Sequence, residues 1–481
     1  MGVTDDMIGE EIVILNKGPR IGMRHVQTLL MFLCLTIAYS MRVNLSVGIV
    51  AMTTKDTSPN PDIPVYDWNN KSLILSSFFM GYITLQVLAG ELGKRYGPKW
   101  FVLIAMVINA GGCMLTPLMA ASAGSYGVMG IRIIQGVFQG FFFPNIHNLL
   151  GKWAPEEERS TLGNFIFTGA AFGTIFALPV TGVIAGSWAG WPVAFYFFGG
   201  VALLWCLAWG IFGSNSPEEH KYITKEERMY IQSSLKEVDV NKPAPPTPWK
   251  AILTSAPVWA IVVANFGQNW GYATLLTEIP NYLSKVAHQD ISNNSLLSAA
   301  PYLALFILGL LFGPLADGLV TRKILSPANT RKLMNTIGSV VPAIALVILG
   351  FVPADKIAAI ETMLIIAVGI NAAIWCGFQV NHVDLSPKFS GVLMGIGNGS
   401  SNIFSIISPL FVQILVTDET DVKQWRTIFI IAAAVYVASD IFYLIFAQAE
   451  RQWWDSCGTE TQDGDSNSTV PVDETLKTKN V

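Results

Sequence analysis

Charge is scarce in this chain: 13% of its 481 residues are charged, where a soluble domain carries about a quarter. With 52% hydrophobic residues, that scarcity excludes an ordinary water-soluble domain. The small net charge of −4 points away from a nucleic-acid partner. Cysteine is scarce too. Cys34, Cys113, Cys206 and Cys376 lie in apolar runs and Cys457 in a polar tail, at spacings that fit no metal site. They read as apolar filler, and no disulfide is expected. The first twenty residues are polar and acidic, without the basic start and apolar core of a secretory signal. No nucleophile–base pair, metal-ligand cluster or phosphate-cradling loop stands out. No catalytic residue, metal or cofactor is therefore assigned, and no enzyme is expected.

What the chain does have is apolar runs of about 20 residues, the length that crosses a bilayer as a helix. They fall near 28–52, 73–92, 100–121, 127–150, 162–186 and 191–213, then near 257–282, 296–316, 333–352, 359–380, 391–416 and 426–448. The expected fold is an all-α membrane bundle of twelve spans in two halves, 28–213 and 257–448. Residues 1–27 form a cytoplasmic lead, 214–256 a cytoplasmic linker and 449–481 a polar, disordered cytoplasmic tail. In the linker, Thr224-Lys-Glu-Glu227 reads as a capping box opening a helix through Leu235. Pro243, Pro245, Pro246 and Pro248 stiffen the segment after that helix.

Basic residues set the orientation. With both termini inside, the short inner loops hold Lys94, Arg95, Lys99, Lys152, Arg159, Arg322, Lys323, Arg331, Lys332 and Lys388. The outer loops hold fewer, Lys55, Lys71, Lys285, Lys356, Lys423 and Arg426. The sequons at Asn70 and Asn293 then lie outside as glycosylation sites, while those at Asn44 and Asn398 fall within spans. The halves echo one another: Gly90-Glu-Leu-Gly-Lys94-Arg95-Tyr-Gly97 closes the second span, and Gly313-Pro-Leu-Ala-Asp317-Gly318 the eighth. Parallel six-span repeats mark transporters that bind substrate between the halves.

Ionisable groups inside spans are costly, roughly 2.5–3.5 kcal/mol or more each, and so informative. Arg42 lies in the first span beside Tyr39. Arg132 lies in the fourth, with Gln135 and Gln139 on its face. No carboxylate stands within two turns of either arginine in its own span, so an anionic substrate is the expected partner. Snorkelling of Arg132 and a strut from Arg42 to backbone carbonyls are the bland alternatives. Asn265, Gln268, Asn269 and Tyr272 in the seventh span, and Asn398, Ser401, Asn402 and Ser405 in the eleventh, read as the far wall of the cavity or as interhelical hydrogen bonds. Asp440 is the acid well inside a span; accepting a coupled cation or pairing with a polar neighbour are both open. On the inner side, Glu158, Arg159, Asp317, His382 and Asp384 are candidate gate residues, with helix-end capping as the alternative.

Arg42-Val-Asn-Leu-Ser-Val47, Trp153-Ala-Pro-Glu-Glu-Glu-Arg-Ser160 and Asn381-His-Val-Asp384 resemble the anion:cation symporter family of the major facilitator superfamily, over residues 24–454. The family includes sialin, the vesicular glutamate transporters and the type I sodium–phosphate cotransporters. The resemblance implies a secondary active carrier working by alternating access, with Arg132 in anion recognition. Sialin-like members place glutamates where this chain has Gln135 and Gln139. The glutamate carriers place a histidine and an arginine at positions that match Leu75 and Gln268. Lys94 stands where the superfamily has an aspartate. The paired glutamines look like the sodium–phosphate subgroup and its insect members.

Glutamine exchanges no proton, and an inside-negative membrane opposes anion entry by about 2.3 kcal/mol per charge per 100 mV. Sodium-coupled import of phosphate or an organic anion is the leading expectation. A potential-driven or proton-coupled organic anion carrier, and a non-transporting sensor, are the alternatives. A monomer in the plasma membrane is expected. The segment Glu10-Glu-Ile-Val-Ile14-Leu15 is an imperfect match to an acidic sorting signal for lysosomes or vesicles.

Overall fold

A computed structural model describes residues 19–55, 57–235, 246–285, 291–353, 355–418 and 421–455. The side chains of 272–299, 405, 406, 409, 410 and 413 are outside that description. Tyr272, Asn293, Ser405, Cys457, the 10–15 segment and most of the proline linker therefore carry no structural statement.

Helix is the dominant structure of the described residues. The first half holds α1 (Met23–Thr53), α2 (Lys71–Tyr82), α3 (Gln86–Tyr96), α4 (Pro98–Gln139), α5 (Phe142–Trp153), α6 (Arg159–Ala185) and α7 (Gly190–Phe212). The linker holds α8 (Lys225–Leu235) and α9 (Trp249–Leu253). The second half holds α10 (Ala256–Lys285), α11 (Ile291–Thr321), α12 (Pro327–Leu349), α13 (Ile357–Gly369), a 3₁₀ segment (Ile370–Trp375), α14 (Phe378–Leu385), α15 (Ser390–Leu415) and α16 (Val422–Phe446). Among the described residues eight helices are long and apolar enough to cross a membrane, or nine if the bent pair α2–α3 counts as one span. The 56-residue stretch Pro98–Trp153 holds two of the expected spans. They join at Gly124, whose φ of 60° and ψ of −147° suit glycine. Each of the twelve expected spans falls on helix.

Three spans are broken where continuous helices were expected, and side chains satisfy the freed backbone at each break. Between α2 and α3, which meet at 42°, Thr84 Oγ1 donates to the Gly81 carbonyl and Gln86 Nε2 to the Tyr82 carbonyl. Between α4 and α5, Asn145 Nδ2 donates to the Phe141 carbonyl at 2.8 Å. Between the 3₁₀ segment and α14, the Cys376 carbonyl accepts from Arg331 Nη1 at 3.1 Å.

The two halves meet along α6 with α11 and along α3 and α5 with α15. The echoed glycines sit at these seams: Gly90 against the backbone of Gly391, and Gly313 against that of Thr161. The capping box forms only in part. Thr224 Oγ1 accepts from the Glu227 amide at 3.2 Å, but the Glu227 carboxylate turns away. It accepts from the Met23 and Arg24 amides at 2.8 and 3.0 Å, so it caps α1 rather than its own helix.

Candidate functional site

The two arginines meet in the first half. Close approach of α2 and α4 packs Phe78 beside Arg132, because Gly81 lies against the Ile133 carbonyl and Gly136 against the Phe78 carbonyl. A Cβ at either would fall within about 2 Å of that oxygen. Phe78 is thereby wedged between the cations: its ring centre lies 4.9 Å from the Arg42 guanidinium and 4.8 Å from that of Arg132. Tyr39, Phe79 and Tyr82 complete an aromatic wall around Arg42 at 5.3, 4.6 and 5.4 Å. Among the described residues no carboxylate pairs with either arginine. Arg132 is 4% exposed, so it does not snorkel. The strut to a backbone carbonyl does occur, though from the other arginine: Arg132 Nη2 donates to the Arg42 carbonyl at 3.1 Å. Its Nε has no partner.

The glutamines fix this face. Gln135 accepts from Arg132 Nη1 at 3.4 Å and donates to the Asn109 carbonyl at 3.1 Å. Gln139 donates to the Ala38 carbonyl at 2.7 Å, and its buried Oε1 has no donor. Gln139, Tyr39, Arg42 and Tyr82 line one narrow cleft with Phe142 and Phe143.

The expected far wall divides. Asn398 Nδ2 reaches Tyr82 Oη at 3.1 Å and Gln86 Oε1 at 2.7 Å, joining the second half to the aromatic wall of Arg42. Asn402 supports it by donating to the Asn398 carbonyl at 2.7 Å. Three of the seventh-span residues bond within the second half. Gln268 and Asn371 exchange hydrogen bonds at 2.6 and 3.0 Å. Asn269 donates to Ser401 Oγ at 2.7 Å, and Asn265 to its own helix at the Ile261 carbonyl, 3.2 Å. None of these bonds reaches the arginines.

On the linker side the halves are closed by charge. Arg159 Nη1 of the first half and Arg331 Nε of the second share Asp384, at 2.8 and 2.6 Å, all three buried. Arg331 Nη1 also donates to Ser160 Oγ at 2.6 Å. Asp317 accepts from the backbone amides of Ser160 and Thr161 at 3.1 and 2.6 Å, capping α6 across the seam. Glu158 does not join this network, contrary to expectation. It pairs with Arg24 at 2.7 Å, which also holds Glu227 at 3.1 Å. Arg331, read in sequence only as loop charge, takes the place beside Asp384 that Glu158 leaves. His382 stacks edge-on against His147 at 5.3 Å rather than on Asp384, with Nε2 unpartnered. Lys94, in the aspartate position of the first repeat, bonds Thr247, pairs with Glu91 at 3.1 Å and lies 4.8 Å from the Phe389 ring of the other half. Asn70 donates to Ser125 Oγ at 3.1 Å. Cys34, Cys113, Cys206 and Cys376 are buried free thiols.

Comparison with known proteins agrees with this architecture. The sequence model of the Major Facilitator Superfamily matches residues 31–409. A Drosophila melanogaster protein named "Putative inorganic phosphate cotransporter" is 39% identical, covering 93% of this chain and 89% of its own. Sialin of Ovis aries is 36% identical over 90% of both, and the vesicular glutamate transporter 3 of Danio rerio is 34% identical over 93% of this chain and 78% of its own. Among solved structures, a proton:xylose symporter of the superfamily superposes with a TM-score of 0.71 at 16% identity, over 89% of this chain and 96% of its own. A likeness that distant speaks to the fold alone. With its helices in two joined halves and relatives over 90% or more of its length, this chain belongs to the Major Facilitator Superfamily, in the anion:cation symporter group of the sialins and vesicular glutamate transporters.

Proposed function

We propose that the protein carries small anions across a membrane by alternating access, with inorganic phosphate or a small organic anion as substrate and Na⁺ as the coupled cation. The observation that carries this reading is the arginine pair around Phe78, two cations without a carboxylate among the described residues. Two like charges in a water-poor site repel, and an anion beside them relieves both the repulsion and the desolvation cost. Arg42, Arg132, Tyr39, Gln135 and Gln139 would hold the anion, with Asn398 and Asn402 closing from the second half. Arg159, Asp317, Asp384 and Arg331 would be the linker-side gate. The conformation closed on the linker side is the one in which an anion enters from the other side.

Sodium is favoured over protons because the two residues beside Arg132 are glutamines, which neither gain nor lose a proton. The same fact supports a second reading, a potential-driven carrier without a coupled cation. The protein would act as a monomer in the plasma membrane, with both termini cytoplasmic and Asn70 and Asn293 available for glycosylation. The test is uptake of labelled phosphate and a panel of organic anions by proteoliposomes, with sodium, proton and voltage gradients set independently. Uptake that follows the sodium gradient supports the first reading, and uptake that follows voltage alone supports the second. Ligand binding without flux would make the protein a sensor and overturn both.

A further inference from the structure

Asp440 lies in α16 against α12, 2% exposed, and among the described residues no basic side chain pairs with it. Its Oδ1 accepts from two neutral donors, Asn335 Nδ2 at 2.7 Å and Thr336 Oγ1 at 3.3 Å. Arg331, one turn before Asn335 on α12, is committed to Asp384, Ser160 and the Cys376 carbonyl. A carboxylate left with two neutral donors inside a bilayer protein wants a positive charge.

Asn335 supplies an independent sign. It is 1% exposed, and its Oδ1 has no donor. The two ends of an amide exchange by a half-turn about one bond, and which end faces the carboxylate is set by its partners. With the amine inward, Asn335 gives Asp440 a hydrogen bond and strands its own oxygen. With the oxygen inward, two acceptors face each other while the carboxylate is ionised, an arrangement that a cation between them stabilises. That half-turn gives the stranded oxygen and the uncompensated carboxylate one common partner. Thr336 Oγ1 adds a third oxygen. Carboxylate, amide carbonyl and hydroxyl oxygens form a hard donor set, suited to an alkali or alkaline-earth ion and not to a soft metal.

We propose that Asp440, Asn335 and Thr336 form a binding site for Na⁺ in the second half, separate from the arginine pair of the first. The inference rests on the reading of the protein as a cation-coupled carrier and names where the cation sits. It also supplies a route for coupling. Asn335 and Arg331 lie one turn apart on α12, so a cation that reorients Asn335 acts on the helix that holds the gate arginine.

The experiment is thermal unfolding of the purified full chain, titrated with NaCl against choline chloride at constant ionic strength and without phosphate. Sodium is expected to raise the unfolding temperature saturably. Asp440→Asn should abolish that rise, and Asn335→Ala should weaken the apparent sodium affinity by about tenfold or more. An unchanged sodium response in Asp440→Asn overturns the proposal. So does a response to pH in place of sodium that this variant removes, which would make Asp440 a proton site. If Asp440→Asn does not fold, Asn335→Ala and Thr336→Val decide, and unchanged sodium affinity in both overturns it. Absence of phosphate and organic-anion counterflow in the unaltered protein would defeat the carrier reading while leaving a sodium response in place, so the two failures are separable.

Discussion

Arg132 donates a hydrogen bond to the backbone carbonyl of Arg42 at 3.1 Å, so the side chain of one span arginine is tied to the backbone of the other. Arg132→Ala is expected to abolish anion flux in proteoliposomes while leaving surface expression intact. Arg132→Lys keeps the charge and loses the planar fork, and flux should fall about tenfold or more. Normal flux in the alanine variant would remove the arginine pair from anion recognition.

The Phe78 ring faces both guanidinium groups, and each such contact is worth about 2 kcal/mol when desolvated. Phe78→Leu takes the ring away and leaves the repulsion. The anion-free protein should lose about 1–3 kcal/mol of stability. Bound anion then does more work, so phosphate should raise the unfolding temperature further in Phe78→Leu than in the unaltered protein. An equal rise in both would make Phe78 a packing residue only.

Arg159 and Arg331 hold the same carboxylate from opposite halves. Arg159→Gln should loosen closure on the linker side, because the surviving Arg331–Asp384 pair lies within one half. Asp384→Asn strands two buried arginines and should cost more, about 3–5 kcal/mol. Labelling of the buried Cys376 by a membrane-impermeant thiol reagent reads the opening. The rate should rise in both variants, and a rate unchanged in both would mean that this triad does not hold the halves together.

His220, in the linker, accepts from the Tyr222 amide at Nδ1 (3.1 Å), so Nε2 carries the proton donated to the Phe212 carbonyl, also at 3.1 Å. Burial pushes its imidazole below the ordinary histidine value, and Lys99 adds to this against the opposing pull of the Phe212 carbonyl and Glu227. A folded value below the unfolded one gives stability that is complete above the unfolded value of about 6.5 and is lost as pH falls below it. Thermal stability should decline as pH falls from 7 through 6 and 5, and His220→Gln should flatten that part of the curve. An unchanged pH profile in the variant would locate the acid sensitivity elsewhere.

The spans and the arginine pair were legible because a charge inside an apolar run is conspicuous whatever the tertiary structure. Partners were not. Glu158 sits beside Arg159 in sequence, yet it turns to Arg24, 134 residues away. Arg331 lies among other basic residues near a span end, and nothing local marks it as the one that reaches Asp384. The three broken spans look continuous in sequence because their breaks are satisfied by Thr84, Gln86, Asn145 and Arg331, ordinary residues whose bonds to the backbone only the folded chain displays. Polar stripes are ambiguous for the same reason. Asn398 crosses to the first half, while Gln268, on a helix of similar pattern, is taken by Asn371.

Asp384 and Asp317 share one half with Arg331, while Arg159 stands alone on the other. Within this network, parting the halves separates a unit of positive charge from a unit of negative charge, like drawing apart the plates of a small capacitor. The work required depends on what flows into the gap. Electrolyte at physiological strength screens charges beyond about 8 Å, and stronger salt over shorter distances. Concentrated salt on the linker side is therefore expected to lower the work of opening.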